Sequence, residues 1–379
     1  MNLGLVLTGG GARASYQVGV IQAIAEITGA TQSPFNIMTG VSAGAINASY
    51  MMSRADQFSN AAKGLWDLWM NLTSEKVYRT DAASFASLGS KWLGTVGMGG
   101  AFNQKRANHL LNTQPLRELL GQELHMDRLP QYFKSGVLKG VSVSVTNYLT
   151  GTAISFYDGE ENSSPWVRST RIGVRMPLTV EHVMASSAIP VFFPPVNLGG
   201  ALYGDGCIRL TSPLSPAIHL GADKIIAVGI RYVRTDDQTL ELNATMKRDD
   251  LSIAEIGGVL LNAVFLDSLE NDAERVERIN QTLSLFTEEQ RKAHPLHLRR
   301  IPLLMLRPSQ DLGQLAQGTL KEFPTVIRFL LRGVGAKEDK GWDLLSYLAF
   351  EKAYTSQLIE LGYYDTLRKK DSILEFISS

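Results

Sequence analysis

The chain has 379 residues, 44% hydrophobic and 20% charged, which is the composition of a globular protein with a sizeable core. Its 37 basic and 37 acidic side chains balance, so bulk charge gives no reason to expect a nucleic-acid partner, and none is expected. The single cysteine, Cys207, excludes an intrachain disulfide, no run reaches the roughly 18 uninterrupted apolar residues of a spanning helix, and no secretory leader pattern opens the chain; a soluble, cytoplasmic protein is expected, with peripheral membrane contact left open.

The run LGLVL (3–7) is apolar, short and followed by glycines, which predicts a buried strand. From Ala14 to Ile27, Val18, Ile21, Ile24 and Ile27 recur at helical spacing, and Gly29 suits the helix end. FNIMTGVSAGAINASYMM repeats the scheme of apolar run, glycine turn and small-residue helix. Strand, turn and helix twice over predict an α/β fold with a mostly parallel sheet. Residues from about Gln57 to Pro130 read as a mainly helical insertion. Within it LWDLWM reads as packing on the core. KWLGTVGMGG, with Trp92, Leu93, Val96 and Met98 in its stretch, reads either as a mobile apolar lid or acyl-chain contact, or as packing.

Two strands are expected around the Thr-Gly turn of LKGVSVSVTNYLTGTAISFYDG. VEHVMASSAIPVFFPPV predicts a helix broken at Pro190 and then an extended segment. DKIIAVGI and IPLLMLRP predict further strands. RTDDQTLELNATMKRDD is polar and charged and reads as a linker. PTVIRFLLRGVG and WDLLSYLAFEKAYTSQLIELG predict helices that end at glycines. The expected division is 1–232 as one domain, 233–250 as linker and 251–379 as a mainly helical extension packed on it.

GVSAG, Gly40 to Gly44, matches Gly-x-Ser-x-Gly, in which a serine sits on a sharp strand-to-helix turn. The motif alone supports equally a nucleophile elbow at Ser42 and a turn that packs closely. An acyl-transfer serine needs donors for an oxyanion, and the turn of Gly9, Gly10 and Gly11 can offer them at a helix N-terminus. GGGARA also fits a dinucleotide fingerprint. The acidic residue expected about twenty positions on is absent, and no Gly-Lys-Ser/Thr follows. Arg13, just inside the helix, opposes the macrodipole. It pairs with a surface carboxylate, or it adds charge beside the turn or meets an anionic headgroup; the second class is expected. Among His109, His125, His182, His219, His294 and His297, His182 is the best candidate for a triad base. Asp205, between Gly204 and Gly206, is another base candidate or an ordinary Asp-Gly turn. No Cys/His cluster or calcium-loop pattern occurs, so no metal and no cofactor are expected.

Together, GGGARASYQVGV, GVSAGAINA, ASSAIPVFFPPV and DGC, in that order, resemble the patatin-like phospholipase family over roughly residues 1–232. The resemblance implies a three-layer α/β/α fold and a Ser–Asp dyad, with Ser42 as nucleophile, Asp205 as base, an oxyanion hole from the first block, and Gly40, Gly44 and Gly206 as motif glycines. It implies hydrolysis of a phospholipid, lysophospholipid or other acyl ester through an acyl-enzyme. An acyltransferase or thioesterase on a related fold, and a non-catalytic lipid binder, are the alternatives. Two positions depart from the pattern: Ala14 stands where glycine is usual, and Cys207 where glycine or alanine is usual. Oligomeric state is not legible.

Overall fold

The computed structural model describes residues 1–81, 108–160, 165–245, 250–293 and 298–379. Its strands in chain order are β1 (Leu3–Leu7), β2 (Ile37–Val41), β3 (Gly140–Asn147), β4 (Thr152–Gly159), β5 (Trp166–Arg168), β6 (Arg171–Arg175), β7 (Val196–Leu198), β8 (Ala201–Asp205), β9 (Lys224–Val228) and β10 (Leu303–Leu306). The helices that matter to the site are α1 (Ser15–Thr28), α2 (Ala43–Met52), α3 (Phe58–Met70), α4 (Gln114–Glu123), α5 (Val180–Ser186), α6 (Ile253–Phe265), α7 (Asp267–Ser284), α8 (Thr325–Gly333), α9 (Trp342–Leu348) and α10 (Lys352–Leu367).

The sheet runs β10-β9-β1-β2-β3-β4-β6-β5. All neighbours from β10 to β3 are parallel. Such strands must be covered on both faces, and alternation along β1 shows how. Leu3, Leu5 and Leu7 join a cluster that includes Val18 of α1, Met51 of α2, Leu65 of α3 and Leu358 of α10. Val6 points the other way, to a cluster with Ile225 and Ala227 of β9 and Leu269, Ala273 and Val276 of α7. Helices therefore cover both faces of the sheet.

One local feature of the topology creates the site. Strand β4 pairs with β3 along its whole length, from Gly140↔Gly159 to Asn147↔Thr152. The opposite edge of β3 is shared by two strands. Strand β2 occupies it up to Val41↔Ser144, and β8 continues from Val145↔Asp205 in the antiparallel sense. The end of β2 and the end of β8 thus meet at adjacent positions of one template strand.

The strand expected at IPLLMLRP forms as β10, which extends the main sheet parallel to β9. The C-terminal half departs from expectation in two places. Asp236–Thr245 is helical within the stretch read as a linker; none of its residues is buried, so no apolar face marked it. The expected helix from Trp342 breaks at Ala349–Glu351, and its second part passes through Gly362 to Leu367. Gly362 does not end a helix because its lack of a side chain serves packing: an added Cβ would stand 2.1 Å from the Tyr16 carbonyl oxygen. Gly19 matches it from the other side, where a Cβ would stand 1.8 Å from the Ile359 carbonyl oxygen. These two glycines let α1 and α10 cross backbone to backbone, which explains why α1 is buried nearly all round. Gly19→Ala should separate the two helices and lower the unfolding free energy in urea by about 3 kcal/mol. An unchanged midpoint and slope would refute a crossing this close.

Candidate active site

At the end of β2 the chain turns through Ser42, whose φ of 56° and ψ of −133° lie where a non-glycine residue is strained. Helix α2 begins at the next residue. Both flanking glycines are sterically required. A Cβ on Gly40 would stand 2.6 Å from the Gly44 carbonyl oxygen, and one on Gly44 would stand 2.3 Å from that of Leu7. The turn is therefore a nucleophile elbow in geometry, held against the end of β1.

Ser42 Oγ donates to Asp205 Oδ2 at 2.5 Å, and Cys207 N–H donates to Asp205 Oδ1 at 2.9 Å. Both Ser42 and Asp205 are buried. Burial pushes the Asp205 carboxyl up to about 7, while the hydrogen bonds from Ser42 and Cys207 act in the opposite sense. Gly206 is bare because a Cβ there would stand 2.2 Å from the Ser144 carbonyl oxygen. Sequence reasoning missed a brace behind the pair. Ser186 Oγ, at the end of α5, accepts from Ser42 N–H at 2.8 Å and donates to the Ser144 carbonyl at 2.6 Å. Thr146 Oγ1 donates to the Asp205 carbonyl at 2.8 Å. The ASSAIP block marked the segment, but only the strand register reveals what its first serine holds.

Of the glycine turn, Gly11 (φ 56°) lines the same cavity as Ser42. The Gly10 and Gly11 N–H groups have no acceptor among the described residues and stand at the start of a short helical turn, Gly11–Ala14. Gly9 packs more tightly: its missing Cβ makes room for Ser42 Cβ and Cys207 Sγ, each 2.5 Å from where that Cβ would sit. A buried amide relay fixes the turn to the nucleophile helix. Gln17 Nε2 donates to the Thr8 carbonyl at 2.7 Å, Asn47 Nδ2 donates to Gln17 Oε1 at 3.0 Å and to the Ala14 carbonyl at 3.1 Å, and Trp69 Nε1 donates to Asn47 Oδ1 at 2.8 Å. Ala14, the departure from the family pattern, has φ −67° and ψ −8°, ordinary helical backbone that needs no glycine.

The geometry places Arg13, Cys207 and His182. Arg13 is not available to a headgroup: it is buried, its Nε donates to Ser346 Oγ at 2.7 Å, its Nη2 pairs with Asp343 Oδ1 at 2.9 Å, and its guanidinium lies 4.3 Å from the Tyr347 ring centroid. It ties the glycine turn to α9, where the Tyr347 carbonyl lies 2.2 Å from the place of a Gly11 Cβ. Cys207 is buried, and burial followed by the nearby Asp205 raises its thiol well above the ordinary range, which suits packing rather than reactivity. His182 is engaged elsewhere. Its Nδ1 accepts from the Thr179 N–H at 3.0 Å in a cap of α5, its ring meets Phe156 edge-on, and burial lowers its pKa. His294 and His297 lie outside the described residues, as does the 82–107 stretch with Trp92, Leu93, Val96 and Met98.

An apolar cavity opens beside Ser42. Its walls include Ile46 of α2, Trp69 of α3, Leu116 and Leu120 of α4, Phe193, and Phe350 from the C-terminal segment. Trp69 is thus both core residue and cavity wall, whereas Trp66 meets Tyr363 edge-on. The model for the family described as patatin-like phospholipase matches residues 5–218. The chain belongs to the patatin-like phospholipase family. It is accordingly a lipid ester hydrolase in general type. A search of curated proteins returned no match. Among solved structures it is similar to VipD from Legionella pneumophila, at 13% identity and TM-score 0.36, over 98% of this chain and 67% of that one. It is similar to human GIVD cytosolic phospholipase A2, solved with methyl gamma-linolenyl fluorophosphonate, at 12% identity and TM-score 0.42, over 100% of this chain and 59% of that one. It is also similar to the type III effector protein ExoU, at 15% identity and TM-score 0.28, over 91% and 77% respectively. The chain thus spans less than two thirds of the human phospholipase.

His182→Ala should remove one cap of α5 and cost about 1 kcal/mol of stability, while ester turnover stays within severalfold of the unaltered chain. Loss of turnover in a variant that still folds would make His182 the base.

Proposed function

We propose that this patatin-like phospholipase cleaves a fatty-acyl ester of a phospholipid or lysophospholipid through a Ser42–Asp205 dyad. The observation that carries the reading is the buried 2.5 Å contact between Ser42 Oγ and Asp205 Oδ2. As Ser42 Oγ attacks the acyl carbonyl, its proton passes to Asp205 Oδ2. The carbonyl oxygen becomes an oxyanion stabilised by the Gly10 and Gly11 N–H groups, helped by the dipole of α2. On collapse, the leaving alcohol takes the proton from Asp205, and the acyl group stays on Ser42. Water then gives its proton to Asp205, attacks the acyl carbon, and the fatty acid departs as Ser42 regains its proton.

The environment supports each step. A carboxylate in water ionises near pH 4 and is a weak base toward an alcohol. Burial raises Asp205 to about 7 and brings its basicity close to the working pH. The apolar cavity beside Ser42 suits an acyl chain, which supports lipid over a small polar ester.

Ser42→Ala should reduce p-nitrophenyl ester turnover by about 10⁴-fold or more and abolish labelling by a fluorophosphonate. Labelling that persists in that variant would refute Ser42 as nucleophile; labelling of the unaltered chain without turnover would favour acyl transfer. Because Asp205 must be ionised to accept the proton, kcat/KM should rise with pH through about 7. A profile flat from pH 5 to 9 would remove Asp205 as the base. The same shift has a stability consequence of opposite sign. Asp205 ionises in the unfolded chain near pH 4 but in the folded chain only near 7, so stability is lost as pH rises between the two. Asp205→Asn should therefore be inactive yet gain roughly 4 kcal/mol at pH 8 relative to its effect below pH 4, read as a larger rise in unfolding midpoint at pH 8 than at pH 4.

A further inference from the structure

Helix α6 is apolar on both sides. Its inner face is covered. Gly258 sits so close to α9 that a Cβ would stand 2.6 Å from Asp343 Cβ, and Phe265 rests on the Tyr347 ring with centroids 5.2 Å apart. Its outer face is bare: Ile253 is 70% exposed, Ile256 50%, Val259 65% and Leu260 62%. These four lie on one helical stripe. The one charged residue of α6, Glu255, is engaged in the cap, where it accepts from the Ser252 N–H at 2.9 Å. A helix apolar all round is ordinarily buried all round, and scattered exposed leucines differ from a continuous stripe of this kind.

A second helix extends the surface. The Ala254 N–H donates to the Val334 carbonyl at 2.9 Å, so the end of α8 meets the start of α6. On α8, Phe329 is 75% and Leu330 42% exposed. Arg328 and Arg332 flank them, and α8 contains no acidic residue. On α8, exposed apolar side chains flanked by cations, with no anion on the helix, are the pattern of helices that lie in the plane of an anionic lipid interface; on α6 the stripe supplies the apolar contact, and carboxylates such as Asp267 and Glu270 border it only at the Val259 end. A second copy of the chain would instead bring a second pair of arginines to the same seam. The position of α6 also fits a lipid surface. Its inner side touches the Gly206–Ile208 turn that follows Asp205, so its outer face lies about 10 Å, one helix diameter, from the catalytic turn.

We propose that the outer faces of α6 and α8 form a docking surface for an anionic lipid bilayer. The choice of partner rests on the lipid-ester reading of the site, but the test does not use turnover. The Ser42→Ala chain, which leaves vesicles intact, is sedimented with phosphatidylcholine vesicles with and without phosphatidylserine. It should bind, and bind more tightly with phosphatidylserine. Leu260→Glu and Phe329→Glu, each added to it, should weaken binding by about tenfold or more, with the thermal unfolding midpoint unchanged. Arg332→Gln should weaken binding to the anionic vesicles by about fivefold and leave binding to phosphatidylcholine alone unaltered. Vesicle binding as tight in the two glutamate variants as in their parent overturns the proposal, and so does a parent chain that ignores vesicles. A dimer that Leu260→Glu dissociates, seen by light scattering, also overturns it in favour of a second copy. Failure on any of these counts leaves the soluble-ester and labelling results for Ser42 standing, so the two readings fail separately.

Discussion

A carboxylate buried beside a serine hydroxyl is the interaction around which this molecule is arranged. Its ionised form is unstable away from water, and the Ser42 hydroxyl and the Cys207 N–H donate to its oxygens. Keeping the pair in register needs a rigid reference, and β3 provides it by giving one edge to β2 and then to β8. The separation of 163 residues between Ser42 and Asp205 is thereby reduced to neighbouring positions on one strand. Ser186 and Thr146 secure the same junction from behind, through hydroxyls that bind backbone groups.

The second constraint is space. The glycine turn is compressed between Ser42, the sheet end and α9, so Gly9, Gly11, Gly40, Gly44 and Gly206 each stand where a methyl group would overlap a neighbour. Bare backbone here has two effects that cannot be separated. It allows elements to approach to backbone contact, and it leaves the N–H groups of Gly10 and Gly11 without an acceptor among the described residues. The cavity beside Ser42 is completed by Phe350, so residues more than 300 positions apart form one wall.

The sequence made the β1 and β2 units legible because apolar run, glycine turn and small-residue helix follow one another locally. The same holds for the β3–β4 hairpin with its Thr-Gly turn. Short strands such as β5, β6 and β8 escaped because they carry little apolar periodicity and owe their existence to pairing. The family pattern pointed to Ser42 and Asp205, and the structure brings them together. Ser186, Gln17 and Asn47 stayed invisible, since a polar residue gains its meaning only from the buried partner it meets. Arg13 was misread for the same reason: its local setting shows a cation at a helix start, while Asp343, Ser346 and Tyr347 arrive from 330 or more residues away. Gly362 was read as a stop because glycine usually ends helices, whereas here a crossing helix requires it.

The close crossing of α1 and α10 also bears on synthesis. Helix α1 is buried by α10, which is made much later, with Gly19 and Gly362 in backbone contact range of the partner helix. A nascent chain therefore carries the Ser42 turn long before α9 and α10 exist to close the glycine turn and the cavity wall. During that interval the N-terminal half exposes apolar surface and must be kept from aggregating. Closure of the glycine turn and of the cavity wall therefore waits for helices made much later than the turn itself.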